Sequence, residues 1–160
     1  MSLSLVVSLS MSMSLVQWMA DSEYNTRMST SIPKEFHDLL TTKIAFAQLA
    51  TIMADGSPQV TPVWFDFDGT HIIVNTALGR TKDKNMRRDP RVSIAINDPE
   101  NAYRYVQIRG RVVEMTTDGA DAVIDGLAKK YMGVDSYPYR RAEETRVTVK
   151  ILPERSQVTA

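Results

Sequence analysis

Residues 71–96 read HIIVNTALGRTKDKNMRRDPRVSIAI, and the period of this stretch changes twice. HIIVNT (71–76) is apolar and β-branched, the composition of a strand. RTKDKNMRR (80–88) is polar and helical in propensity, and Pro90 closes it because its ring nitrogen cannot donate to a helix ladder. RVSIAI (91–96) then alternates strictly with period two. A strand, a short basic helix and a second strand follow one another directly.

Working outward, IAFAQLATIM (44–53) is a β-type run closed by the turn residues Ala54, Asp55, Gly56 and Ser57. Residues 59–65, rich in Val, Thr, Trp and Phe, form a second strand, and Asp68-Gly69 supplies the hairpin turn into strand 71–76. Beyond 91–96, a turn over 97–101 leads into a long strand, 103–115, with Gly110 at a bulge or bend. Residues 116–131 read as a helix whose apolar side is Ala122, Val123, Ile124, Leu127 and Ala128; a second short helix is predicted over 139–144. TRVTVKIL (145–152) is the last alternating strand. Ahead of everything, Pro33 opens a short helix, 34–40, with Phe36, Leu39 and Leu40 on one face. Most connections are too short for parallel crossovers. The fold class is therefore mainly β with flanking helices: a six-stranded barrel whose closure protects its strand edges.

The chain has 160 residues, 43% hydrophobic and 24% charged, which suits one globular core. Residues 1–20, MSLSLVVSLSMSMSLVQWMA, carry no charge, and no charged residue precedes Asp21. They lack the basic start of a signal peptide and are too interrupted by Ser for a membrane span. With methionines at 1, 11, 13, 19 and 28, residues 1–30 read as an N-terminal extension, disordered or a mis-assigned start, and 31–160 as the cofactor-binding domain. Lys+Arg and Asp+Glu are both 19, a zero balance that argues against a nucleic-acid binder. The expected setting is cytoplasmic, without membrane or nucleic-acid partners. There are no cysteines, and the two histidines, His37 and His71, are too few for a histidine-rich metal centre, so no metal site is expected. Neither histidine has a Ser and a carboxylate at triad spacing, and no catalytic side chain is nominated.

Within 79–91 six cations (Arg80, Lys82, Lys84, Arg87, Arg88, Arg91) face two acids, Asp83 and Asp89. The run starts at a strand-to-helix junction, and the unpaired N–H groups of a helix start suit a phosphate. Arg80 adds a bidentate grip and Lys82 a point charge, while Gly79 permits the tight turn. The bland alternative is a solvated helix face, which fits Arg87, Arg88 and Arg91 well. Pro58 and Pro62 within one strand mark a disrupted or edge stretch, where freed backbone can meet the polar rim of a flat heterocycle; Trp64 offers apolar area nearby or simply fills core. Asn75 and Thr76 end strand 71–76 just before the basic turn, placed for a ring or polyol contact or for ordinary strand-end polarity.

The ordered set LATIMADGSPQVTPVWF (49–65), HIIVNTALGRTKDKNMRRDPRVSIAI (71–96) and YVQIRGRVVEM (105–115) resembles the pyridoxamine 5′-phosphate oxidase-like split barrels. More narrowly it is similar to the flavin/deazaflavin oxidoreductases that use coenzyme F420. The resemblance implies a six-stranded split β-barrel (the FMN-binding split barrel, a Greek-key arrangement), a homodimer, and cofactor sites at the subunit interface. It implies that Arg80, Thr81 and Lys82 hold the cofactor phosphate and that Gln59, Val60, Thr61 and Pro62 line the ring. It further implies that Asn75, Thr76 and Ala77 lie along the ring edge and polyol, and that Asn85 closes the site from the helix. True pyridoxamine-phosphate oxidases carry a C-terminal Trp and an Arg-x-His element; here the only tryptophans are Trp18 and Trp64, so vitamin B6 oxidation is not expected.

Three functions follow. The first is an F420-dependent reductase passing a hydride to an electron-poor small-molecule acceptor. The second is an FMN-binding oxidoreductase of the same fold. The third is a non-catalytic carrier of F420, or of heme or another tetrapyrrole.

Overall fold

The computed structural model describes residues 32–159, and the predicted extension over 1–30 lies outside them. A 3-10 turn, Lys34–Phe36, runs into α1 (His37–Thr41). Strands β1 (Ala47–Ile52), β2 (Pro58–Val63), β3 (Phe65–Phe67) and β4 (Ile72–Ala77) follow. Then come α2 (Thr81–Arg88), β5 (Arg91–Asn97), β6 (Tyr105–Thr116), α3 (Ala120–Met132) and β7 (Arg146–Thr159). Among the described residues no helix is long and apolar enough to cross a membrane.

All strand pairs are antiparallel, in the order β2-β1-β5-β6-β7-β4-β3. The two edge strands, β2 and β3, are separated in the chain by Trp64 alone. Laid flat, seven strands would set those edges about 29 Å apart at roughly 4.8 Å per spacing. Two peptide units reach only about 7 Å. The sheet therefore curls until its edges meet at Trp64, where it is joined by covalent chain and not by a ladder. This is a split barrel with seven strands where six were expected: predicted strand 59–65 is broken at Trp64, and its last residue starts β3.

The alternation that marked the strands is the alternation of the core. In β5, Val92, Ile94 and Ile96 point inward, meeting Leu49, Val106, Ile108, Val147, Val149, Ile151, Ile72 and Val74. Phe36, Leu39 and Leu40 join this cluster from the first helical segment, as their shared face predicts, and Met86 joins it from α2. Three further boundaries differ from expectation. No helix forms over 139–144, where the chain makes turns and Arg140 is committed to ion pairs with Asp121 and Asp125. Strand β7 continues past Leu152 to Thr159, because its second half pairs with β6. Ala122 is exposed, and Ala120 takes its place on the buried side of α3.

The break at Trp64 leaves backbone groups without ladder partners, and the end of α3 supplies them. The Phe65 N–H donates to the Tyr131 hydroxyl at 3.2 Å, and that hydroxyl donates to the Ala45 carbonyl at 2.7 Å. Lys130 Nζ reaches the Phe65 carbonyl at 3.2 Å. The Tyr131 ring stacks on Trp64 with centroids 5.3 Å apart, and burial pushes its hydroxyl up to about 12. Tyr131→Phe keeps the stack and strands two backbone groups. It should lower unfolding free energy by about 1–3 kcal/mol with an unchanged denaturant slope. A urea midpoint equal to wild type would show that the hydroxyl does not hold the break.

Candidate functional site

Strand β4 ends at Ala77, and the chain turns through Leu78 and Gly79, whose φ of +81° is the left-handed region that favours glycine. The Leu78 N–H is held by the Thr145 carbonyl at 2.9 Å, and the Gly79 N–H by Asp83 Oδ2 at 2.8 Å. Arg80 is the N-cap of α2 and makes no side-chain cap bond, so no N-cap side chain covers the N–H groups of the first helical turn. Thr81, the first helical residue, is exposed.

The cations of the run separate into two sets. Arg87 pairs with Asp83 at 2.9 Å, Arg91 pairs with Asp89 at 2.6 Å, and Arg88 donates to the Ile52 carbonyl and to Asn85 Oδ1. These three are satisfied within the chain. Lys82 is partly buried and has no ion pair with any described residue. Burial first, and the Arg80 charge second, hold its ammonium below the ordinary 10.5. A helix start with open N–H groups beside an unneutralised lysine suits an anionic group such as a phosphate.

The sign of the Lys82 shift gives a test. Its folded pKa lies below its unfolded one, so charged Lys82 costs the free protein stability at neutral pH, and the cost is relieved as pH rises through the folded value. A bound anion favours the charged form. Affinity for inorganic phosphate should therefore fall within the alkaline range, at a lower pH than an ordinary lysine would impose. In Lys82→Arg, which stays charged throughout, the profile should be flat over that range. Phosphate titrations that decline equally in both proteins would remove Lys82 from the site.

The other predicted residues fall into groups. Asn85 is buried, and its Nδ2 donates to Thr51 Oγ1 at 3.0 Å and to Gln59 Oε1 at 3.4 Å. It ties α2 to β1 and β2, one helical turn beyond Lys82, so its amide is committed inside the protein. In β2, Gln59 and Thr61 take the half-buried parity, while Val60 and Pro62 are exposed. Pro58 and Pro62 share the parity of Val60. Their missing N–H groups cost no ladder bond if that parity faces the free edge, and Val60 then presents its N–H and carbonyl there. The four side chains therefore do not share one face of β2.

Asn75 and Thr76 point to opposite faces of β4. Thr76 is buried in the core, where its Oγ1 has no partner, and Ala77 is buried. Asn75 donates to the Ala120 carbonyl at 2.8 Å and accepts from Arg146 Nε at 2.7 Å. Thr76 thus does not share a surface with Asn75, as strand period dictates.

Sequence reasoning missed Glu144, Arg146 and Tyr137. Arg146 pairs in register with Ala77, beside the basic turn, and burial lowers its pKa. Glu144 Oε1 accepts from Arg80 at 2.5 Å, and its other oxygen lies 3.5 Å from Arg146. The Arg146 guanidinium sits 5.4 Å from the Tyr137 ring centroid, and Tyr137 meets Trp64 edge-on at 6.0 Å. A continuous line of contacts, Arg80–Glu144–Arg146–Tyr137–Trp64, thereby joins the basic turn to the β2–β3 break. Only the alternating polarity of TRVTVKIL hinted at Arg146; its partner strand could not be read locally. Among the described residues no group of three or more His, Asp or Glu is placed to hold a metal ion.

A curled antiparallel sheet whose edges meet at one residue, with a basic turn at a strand-to-helix junction, defines a split-barrel protein. The chain belongs to the pyridoxamine 5′-phosphate oxidase family, whose model matches residues 32–160. Among solved structures it is similar to an F420 reductase, at 29% identity and TM-score 0.70, over 79% of this chain and 98% of that one. It is also similar to a conserved hypothetical protein from Mycobacterium tuberculosis, at 26% identity and TM-score 0.65, covering 81% and 86% of the two chains. The HupZ protein of Group A Streptococcus shares the fold at 24% identity and TM-score 0.58, over 81% and 99%.

Proposed function

We propose that this chain is an F420-dependent oxidoreductase that transfers a hydride from the reduced deazaflavin to an electron-poor small-molecule acceptor. The observation that carries the proposal is the open start of α2 with Lys82 unneutralised beside Arg80. The F420 reductase relative, nearly all of whose length is covered, supports the choice of cofactor. When bound, the cofactor supplies the hydride chemistry itself. The chain's part is to anchor the phosphate through Arg80, Thr81 and Lys82 and to offer the free edge of β2, Gln59 to Pro62, to the ring rim. Asn75 and Asn85 act behind these groups, fixing Arg146 and α2. Ala77 sets the end of β4 from which the turn starts.

The chain works as a homodimer with the cofactor between subunits. A groove of 530 Å³ along β1, β5 and β6, with Ala50 and Ser93 in its lining, supports close approach of a second copy. FMN is the second reading, and one observation favours it: Arg87 and Arg91 are neutralised internally, which leaves fewer cations of the run for a long anionic tail.

The test is turnover. Purified protein mixed with reduced F420 and a set of enones, quinones and tetrapyrroles should restore oxidised deazaflavin absorbance with at least one acceptor. A yellow protein as purified, with turnover on reduced FMN only, would replace F420 by FMN. Tight cofactor binding without turnover on any acceptor would leave a carrier.

A further inference from the structure

At the basic turn Asp83 is taken by Gly79 and Arg87, whereas Glu144 is the anion paired with Arg80, and its position bears on which phosphate the turn accepts. Glu144 Oε1 lies 2.5 Å from an Arg80 terminal nitrogen. The carboxylate is 19% exposed and Arg80 is 48% exposed, so Glu144 is the more enclosed member of the pair. The Arg80 bond, foremost, keeps Glu144 below the usual glutamate value, with Arg146 and Arg141 adding to the effect against burial, so it is charged at neutral pH. The turn does not need it for shape. The Arg80 N–H is held by the Ala77 carbonyl at 3.2 Å, and the Leu78 N–H is held by the Thr145 carbonyl.

A ligand phosphate that takes Lys82 and the open side of Arg80 shares that guanidinium with the Glu144 carboxylate. Two anions bridged by one guanidinium lie about 6 Å apart, and their repulsion grows with the charge of the incoming group. A phosphodiester, as in F420, carries one negative charge. A phosphomonoester, as in FMN, carries close to two at neutral pH. Resting on the cofactor assignment above, we propose that Glu144 is a specificity-determining residue that penalises phosphomonoesters relative to phosphodiesters at the Arg80–Lys82 turn. At about 6 Å in a half-exposed site, the second charge changes affinity about three- to tenfold.

The test compares F420 and FMN binding to wild type, Glu144→Gln and Glu143→Gln by fluorescence titration at pH 7. Glu144→Gln is nearly isosteric and should move the F420-to-FMN affinity ratio about three- to tenfold toward FMN. Glu143→Gln removes the same charge one residue away, where no ion pair with Arg80 exists, and should leave the ratio unchanged. Glu144→Ala, with its melting temperature measured alongside, repeats the comparison should the Gln variant fold poorly. Three outcomes overturn the inference: an unchanged ratio in both Glu144 variants, an equal shift in Glu143→Gln, or an equal loss for both ligands, which would make Glu144 a support for Arg80. Wild type that binds neither ligand overturns the cofactor assignment too, whereas wild type that binds with an immovable ratio overturns this inference alone.

Discussion

Replacing Arg80 and Lys82 together with alanine is expected to weaken binding of a phosphate-bearing flavin or deazaflavin by about a hundredfold or more. Each cation offers a charge-assisted hydrogen bond to phosphate, of the order of 1.5–3 kcal/mol where it is made. Lys82 is the more telling half. It is partly buried without an acid partner, and it has the Arg80 charge beside it. The free protein thus holds a desolvated, crowded charge that a bound phosphate relieves. Arg80 by contrast starts from an ion pair with Glu144, part of which binding must weaken. Lys82→Ala alone should therefore account for most of the loss, and raised salt should weaken wild type more than either variant. The fold should survive, because the substitutions remove an unneutralised charge and one half-exposed ion pair. Isothermal titration across the wild type, the single variants and the double variant measures both effects. Equal affinities would return the turn to an ordinary solvated surface.

Gly110→Ala should lower unfolding free energy by about 1–3 kcal/mol, which is roughly 4–12 °C in melting temperature for a domain of this size. A Cβ at Gly110 would stand 2.6 Å from the Leu152 carbonyl oxygen and 3.1 Å from Ile151 Cγ2. The nearest obstacle is backbone, which cannot swing away. The cause is a bulge: Arg109 pairs with Arg155 and Gly110 with Pro153, so Glu154 is the extra residue. The strand that must yield is β7, which pairs with both β4 and β6 and holds the barrel's middle. Gly126 is the control. A Cβ there meets nothing within 4 Å, and the residue lies inside α3, so Gly126→Ala should stabilise by about 0.5–1 kcal/mol. A melting temperature for Gly110→Ala at or above wild type would refute the close approach.

What one sequence made legible was whatever depends on neighbours in the chain. Val92, Ile94 and Ile96 alternate because one face of β5 is core, and α2 was marked by its polar run and the proline after it. The bulge at Gly110 and the edge character of the proline-bearing strand were readable for the same reason. Long-range pairings were not readable. Trp64 interrupts a strand because the sheet closes there, a property of seven strands together. Glu144 reaches Arg80 across 64 positions, and Arg146 reaches Asn75 across 71. No local period announces either contact. The basic run shows the limit most clearly: its six cations look alike in sequence, yet Asp83 and Asp89 neutralise Arg87 and Arg91 and leave Lys82 without an acid. That the Asn75 and Thr76 side chains do not share a surface was itself legible, since adjacent strand residues face opposite ways.

The most direct measurement is a fluorescence titration of the full chain with F420 and with FMN, at low and moderate salt, beside Lys82→Ala. Micromolar or tighter F420 binding, weaker FMN binding, and loss of affinity both in the variant and with added salt are the predicted results. Failure of either cofactor to bind, or binding indifferent to Lys82 and to salt, would contradict a phosphate site at the start of α2.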